Sequence, residues 1–397
     1  MAERDVDVSR RGFMEAAGGA ALLGSLAAAV PAQAQLKSDR KIRMGVVGGG
    51  FGCGFQWHLD PNCEVVAVSD LVPGRRAGLQ RVYKCETAYE SLEKLVLDPK
   101  VEAVAVFTGA PDHARHVIEV MKHGKHAISA VPACLTLEEA AAMKETKEKT
   151  GLKYMMAETS YYRAPCIFAR QLWADGKFGK FLYSEVEYYH HNVQKYGGAN
   201  ALWKGKDMPK GWRWGFPPMF YPTHSTAFHI GVTKERFTAV SCLGWGHDDP
   251  MLKDNPYENP YSNQVALFKA SGGNMCRCNV LWWIQADGER AQWLGENLSV
   301  YMDHSGGQPF AVRARDKSVP TAMPDYRKLL PPAMVGDGGH GGSHPFCTHE
   351  FVAALVEERE PAVDLYEALA MTVPGLVAME SSRKGGEQLK IPSFDKA

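Results

Sequence analysis

Seven consecutive residues near the start of the chain have the composition of a phosphate-binding turn. Gly48-Gly49-Gly50-Phe51-Gly52-Cys53-Gly54 puts Gly48 and Gly50 in the first two positions of a G-x-G-x-x-G pattern, with Cys53 where the third small residue falls. Glycines permit a tight turn and let backbone amides approach a pyrophosphate at a helix N-terminus. Phe51 and Gly52 complete the turn. Asp70 follows twenty residues after Gly50. Its carboxylate is placed to accept from ribose hydroxyls and to repel a 2′-phosphate. The chemistry predicted is dinucleotide binding, with NAD favoured over NADP.

Such a turn needs a strand before it and a second strand ending at the acid. Ile42–Val47 and Val65–Ser69 supply them, and Ala103–Phe107, His126–Ala130 and Tyr154–Ala157 read as further buried strands. Helical stretches at Pro73–Tyr83, Tyr89–Leu97, Pro111–His123 and Leu135–Thr150 alternate with these, the last opening on a Thr136/Glu139 capping box. Strand–helix alternation gives a doubly wound parallel sheet, so residues 36–157 are predicted to form an α/β Rossmann domain. Residues 158–397 read differently. After a helix near Arg163–Trp173 come β-branched and aromatic runs at Phe181–Tyr189, Phe237–Leu243, Gln264–Lys269 and Met275–Gln285. They predict an α+β domain with a mainly antiparallel sheet. Long loops are expected at His190–Thr223 and Gly306–Ser343. A closing helix pair, Pro345–Glu358 and Leu365–Lys384, is free to pack back on the Rossmann domain.

The 45 basic and 45 acidic residues balance, so no basic field exists to hold nucleic acid or an anionic membrane. Nine scattered cysteines contain no C-x-x-C pair and predict neither a disulfide framework nor a zinc site. The first 34 residues read as an address. Arg10-Arg11 precede an apolar stretch, Ala16–Val30, which ends in Ala32-Gln33-Ala34. This is the layout of a twin-arginine export peptide, cleaved after Ala34, and a periplasmic or otherwise exported mature protein is expected. The apolar stretch falls short of the ~20 residues that span a bilayer, and no later segment is apolar enough to span.

The chain resembles the glucose–fructose oxidoreductase / inositol dehydrogenase / MocA family. Thr108-Gly109-Ala110-Pro111-Asp112-His113 is similar to that family's loop beside the nicotinamide ribose. The resemblance implies cofactor contacts from Thr108, Pro111 and His113, and from Val131 and Pro132. Ala130-Val131-Pro132 stands where the family has Glu-Lys-Pro, so a valine replaces the lysine that helps move the hydroxyl proton. Within the family, the motifs are most similar to the NAD-dependent glycoside hydrolase family 109 branch. Glu158-Thr159-Ser160-Tyr161-Tyr162-Arg163 resembles its Glu-x-x-x-Tyr-Arg segment. Tyr221-Pro222-Thr223-His224 matches its Tyr-Pro-Thr-His motif. Gly339-His340-Gly341-Gly342 matches its Gly-His-Gly-Gly loop, with Ser343-His344 replacing Met-Asp. That branch implies a redox-neutral cycle on a glycoside: oxidation, elimination, water addition and re-reduction.

Oxidising a secondary alcohol needs a proton acceptor near the hydride acceptor. Without the lysine, His224 is the first candidate, because an imidazole titrates near neutrality. Tyr221, three residues earlier, is expected on the same face, and Tyr162 and His340 are the other candidates. Trp212, Trp214 and Tyr221 lie in an aromatic-rich stretch suited to stacking on sugar faces; with Arg163 they are the expected substrate contacts. His340, His344, His349 and Glu350 tempt a metal reading, but the glycines and Pro345 break the helical face and no metal is expected. A carbohydrate substrate and a homo-oligomer are expected. The alternatives are a sugar dehydrogenase with a second acceptor substrate and a non-catalytic sugar-binding relative.

Overall fold

A computed structural model describes residues 38–196, 211–303, 307–336 and 338–396. The expected export segment and Trp203 of the aromatic stretch lie outside these described residues.

Six strands, β1 (Ile42–Val47), β2 (Cys63–Ser69), β3 (Ala88–Tyr89), β4 (Ala103–Val106), β5 (His126–Ser129) and β6 (Tyr154–Met156), form one sheet in the order β3-β2-β1-β4-β5-β6. Every pairing is parallel. All four residues of β4 are buried, as a strand covered by helices on both faces must be. The covering helices are α1 (Pro73–Tyr83), α2 (His113–Lys122) and α3 (Leu137–Thr150). Thr136 caps α3 by accepting from the Glu139 amide, and the Glu139 carboxylate reaches back to the Leu135 amide, one residue beyond the cap itself. The stretch read as a helix over Tyr89–Leu97 instead holds β3 and a single turn, Leu92–Leu95, capped by Ser91. Helix α2 begins at His113 because a 3-10 turn, Ala110–Asp112, precedes it.

The second part is built on eight strands: β7 (Phe181–His190), β8 (Phe237–Trp245), β9 (Asn263–Ala270), β10 (Met275–Leu281), β11 (Asp287–Gly295), β12 (Leu298–Tyr301), β13 (Ala311–Ala314) and β14 (Leu389–Lys390). Their order is β13-β12-β11-β7-β10-β9-β8-β14. All neighbours are antiparallel except β7 and β10. Strand β13 lies inside the Gly306–Ser343 stretch expected to be a loop. The longer helices are α4 (Ala164–Ala174), α5 (Thr223–Thr233), α6 (Gly339–Val356) and α7 (Leu365–Arg383). Every residue of α5 is buried, between α4, α7 and the sheet. A helix buried all round shows no polar face and therefore no amphipathic period, which is why the sequence did not announce it. The last two helices dock on the Rossmann unit. The Thr348 hydroxyl donates to the Phe55 carbonyl at 2.7 Å, and the Met156 amide donates to the Val363 carbonyl at 3.0 Å. No helix among the described residues is long and apolar enough to cross a membrane.

Candidate active site

A cleft of about 470 Å³ opens where the carboxyl ends of β1, β2 and β4 face the second domain. On the Rossmann side it is lined by Gly48, Gly50, Phe51, Asp70, Thr108, His113 and Val131, among others. Gly48 has φ +98°, and a Cβ there would meet the Phe107 carbonyl oxygen at 2.1 Å, so only glycine closes this turn. The Gly49 amide donates to Asp70 Oδ2 and the Val72 amide to Oδ1, each at 2.7 Å. Each oxygen keeps a second lone pair, so the carboxylate is braced for, and still open to, a ribose hydroxyl pair. This geometry fits a dinucleotide whose phosphates lie at Gly48–Gly50 and whose ribose meets Asp70.

The other expected cofactor residues fall into two groups. Thr108 and Val131 line the cleft. His113 also borders it, but its ring is buried between the carbonyls of Pro132 (2.7 Å) and Thr108 (3.1 Å). Burial pushes its pKa below the ordinary value; the neutral ring has one N–H and donates to only one of these carbonyls, the Pro132 oxygen being the closer. Gly52 packs behind the turn on Phe107 and Val46 and accepts from the Tyr83 hydroxyl. Pro111 and Pro132 are not in the lining.

His224 stands at the first turn of α5 and faces the cleft. Its Nδ1 lies 2.7 Å from Oε1 of Glu158, which is fully buried at the end of β6. Burial alone would lower the His224 pKa, but the Glu158 charge and hydrogen bond outweigh it and hold the pKa above its ordinary value. Burial alone would raise Glu158; His224 outweighs this and holds it lower. Ser160 lends Oγ to the same Nδ1 at 3.2 Å while donating its own proton to Glu289 at 2.9 Å. Nδ1 is therefore the protonated nitrogen, and proton acceptance falls to Nε2. Tyr221 precedes α5 rather than sharing a helical face, yet its ring lies 5.3 Å from His224 and lines the cleft. Tyr188 closes the other side at 4.8 Å.

His340 reaches the same cleft from an irregular start to α6. His340, Gly341 and Gly342 have φ of 53°, 63° and 86°. A Cβ at Gly341 would come within 1.9 Å of the Arg163 guanidinium. His344 Nδ1 lies 3.1 Å from the Gly54 carbonyl, and His344 Nε2 lies 2.9 Å from His340 Nδ1. A carbonyl only accepts, so His344 carries its proton on Nδ1 and accepts on Nε2; His340 then donates from Nδ1 and presents a bare Nε2. Burial, with His224 and His344 nearby, pushes His340 down to about 3. The rings of His224 and His340 are 6.1 Å apart. His349 pairs with Asp60 and Glu350 with Arg359, so the four histidine and glutamate positions do not converge.

Three expected residues, Tyr162, Trp214 and Arg163, are placed away from the lining. The Tyr162 ring stacks on Phe346 at 6.0 Å, its hydroxyl is buried with no hydrogen-bond partner, and it does not line the cleft. Trp214 donates from its indole to the Asp254 carbonyl, away from the lining; Trp212 and Arg213 take that position. Arg163 acts behind the site, holding Glu289 with two hydrogen bonds and the His340 carbonyl at 2.6 Å. Glu158, Glu289, Tyr188 and Arg213 were missed as site residues. Glu158 left two signals, a lone acid directly after an apolar strand and the first place of the Glu-x-x-x-Tyr-Arg segment; Glu289 left none.

Residues 42–158 match the model of the oxidoreductase family with an NAD-binding Rossmann fold, Gfo/Idh/MocA, and residues 284–397 match that of the glycosyl hydrolase 109 C-terminal domain. Glycosyl hydrolase family 109 protein 1 of Bacteroides fragilis is 30% identical over 162 residues, 38% of this chain but only 35% of that protein. The chain thus matches about a third of that relative's length. The Stenotrophomonas maltophilia family 109 protein is 24% identical across 98% of this chain and 95% of its own length. The solved WlbA dehydrogenase of Bordetella pertussis, in complex with NADH and UDP-GlcNAcA, shares the fold with a TM-score of 0.72 and 19% identity, covering 89% of this chain and 99% of that one.

Proposed function

Residues 42–158 belong to the Gfo/Idh/MocA family of NAD-binding Rossmann oxidoreductase domains, and residues 284–397 to the glycosyl hydrolase 109 C-terminal domains; on that premise we propose that the chain is an exported NAD-dependent enzyme that cleaves or modifies a glycoside in a redox-neutral cycle. The observation that carries this reading is the buried His224–Glu158 pair opening on the cleft that holds the Gly48–Asp70 turn. NAD, when bound there, supplies a hydride acceptor and later a hydride donor.

The residues divide the remaining work. Nε2 of His224 takes the proton of a ring hydroxyl as its carbon loses hydride. Glu158 keeps Nδ1 protonated and stabilises the imidazolium that results. Val131 lines the cleft where the family has its lysine, so no amine competes for that proton. The new ketone acidifies the neighbouring C–H, and the bare Nε2 of His340, a weak base with its pKa near 3, is the second acceptor the cleft offers. Loss of that proton expels the aglycone, and His340 passes the proton to the departing oxygen. Water then adds across the double bond, its hydroxyl to one carbon and its proton to the other, and His224 gives its proton back to the carbonyl oxygen as bound cofactor would return the hydride. Nothing is consumed but water, which suits a compartment without a free NAD pool.

The test is incubation of the purified protein with a panel of aryl glycosides and no added NAD. Catalytic aglycone release without net cofactor reduction is expected. Accumulation of a ketosugar with stoichiometric reduction would instead make the chain a dehydrogenase needing a second acceptor. Binding without either change would overturn the enzymatic reading.

A further inference from the structure

We propose that the sugar carries an acidic substituent, a carboxylate or a sulfate, and that Arg213 receives it; this builds on the sugar reading above. Arg213 lines the cleft with its guanidinium carbon 4.2 Å from the Trp212 ring centre and 5.0 Å from that of Tyr221. Its one hydrogen bond among the described residues is a long one, 3.4 Å, to the Tyr221 hydroxyl. It pairs with no carboxylate among the described residues. Two other arginines near the site do: Arg163 holds Glu289, and Arg115 holds Glu93 and Asp112.

The wall around Arg213 has no acid of its own. From residues 158–397 the described lining adds Thr159, Tyr188, His190, Trp212, Tyr221, His224 and His340, none of them acidic. Glu158, the carboxylate behind His224, is committed to that histidine. A planar guanidinium laid on aromatic faces is preorganised for bidentate contact with an oxyanion. The spacing suits one pyranose ring. Tyr221 lies between the two groups, 5.0 Å from the guanidinium and 5.3 Å from His224. A single sugar can therefore offer a hydroxyl to His224 and its acidic group to Arg213. The cofactor phosphates belong at the Gly48–Gly50 turn, on the opposite wall.

Calorimetry on the NAD-loaded protein tests this with the methyl glycosides of glucose and galactose, their uronates and their 6-sulfates. The acidic forms are expected to bind about tenfold or more tightly than the neutral ones, and the preference should weaken with salt. Whether uronate or sulfate binds better identifies the group. Arg213→Gln should erase the preference and Arg213→Lys should keep part of it. Equal binding of neutral and acidic forms, no binding by any acidic form, or a preference surviving in Arg213→Gln overturns the assignment. So does release of NAD by Arg213→Gln, which would give the arginine to the cofactor. An acidic glycoside that binds through Arg213 but is never turned over leaves this assignment standing and removes the catalytic reading instead.

Discussion

Nδ1 of His224 lies 2.7 Å from Oε1 of Glu158, and both side chains are buried. The carboxylate raises the pKa of the base it orients. A base works only when neutral, so the rate should rise with pH through a midpoint above 6.5, the ordinary histidine value. Glu158→Gln removes the charge and keeps the shape. The midpoint should then move to lower pH while the plateau falls on the order of 10²-fold. Single-turnover cofactor reduction from pH 5 to 9 measures both. A plateau loss with an unmoved midpoint would mean that Glu158 acts only by packing.

His344 should control the second proton step through His340. Gln at this position can still donate to Gly54 and accept from His340; Leu can do neither. His344→Leu should slow aglycone release by about 10–10²-fold through misplacement of the base, whereas His344→Gln should retain most of the rate. Nitrogen-15 NMR of the NAD-loaded protein checks the cause: His340 should carry its proton on Nδ1 in wild type and His344→Gln, and a mixture of tautomers in His344→Leu.

Asp70→Asn removes the charge that repels a 2′-phosphate and weakens acceptance from ribose. NAD affinity should fall about tenfold, roughly the worth of one charge-assisted hydrogen bond, and NADP should approach NAD. Titration of both cofactors by fluorescence decides it. An unchanged ratio would show that Asp70 serves only the Gly49 and Val72 amides.

Tyr162→Phe should leave turnover within twofold of wild type and stability equal or up to about 1 kcal/mol higher, because it deletes a buried hydroxyl without a partner. Thermal unfolding and steady-state kinetics test this together. A large rate loss would return Tyr162 to the list of proton donors.

Replacing Arg10 and Arg11 by Lys should hold the precursor in the cytoplasm, since the export receptor reads the arginine pair. Fractionation of cells producing the double variant reads this directly; periplasmic protein at the wild-type level would refute the export reading.

The Rossmann sheet was legible because its strands are short apolar runs, such as Ala103–Val106, buried on both faces and separated by capped helices. Its cofactor turn was legible because glycines and an acid stand at fixed spacing in one supersecondary unit. The proton-transfer site was only half legible. His224 stood out through its motif, but its partner Glu158 is 66 residues away, and Glu289 is 126 residues from Arg163. Such pairs are made by tertiary packing and leave no local period. Tyr161-Tyr162 shows the same limit at short range, since nothing local says that the Tyr162 ring turns toward Phe346 and away from the cleft.

The contact of His344 with the Gly54 carbonyl joins the dinucleotide turn to the loop that presents His340. The Thr348 bond to Phe55 ties the same two segments a turn further along α6. The two segments therefore brace each other. If a nucleotide orders residues 48–55 and His340 together, a ligand that fixes His340 tightens the nucleotide by the same factor. On the reading proposed above, cofactor retention and the placement of His340 are coupled, and a protein exported with its dinucleotide bound would arrive with that histidine already set.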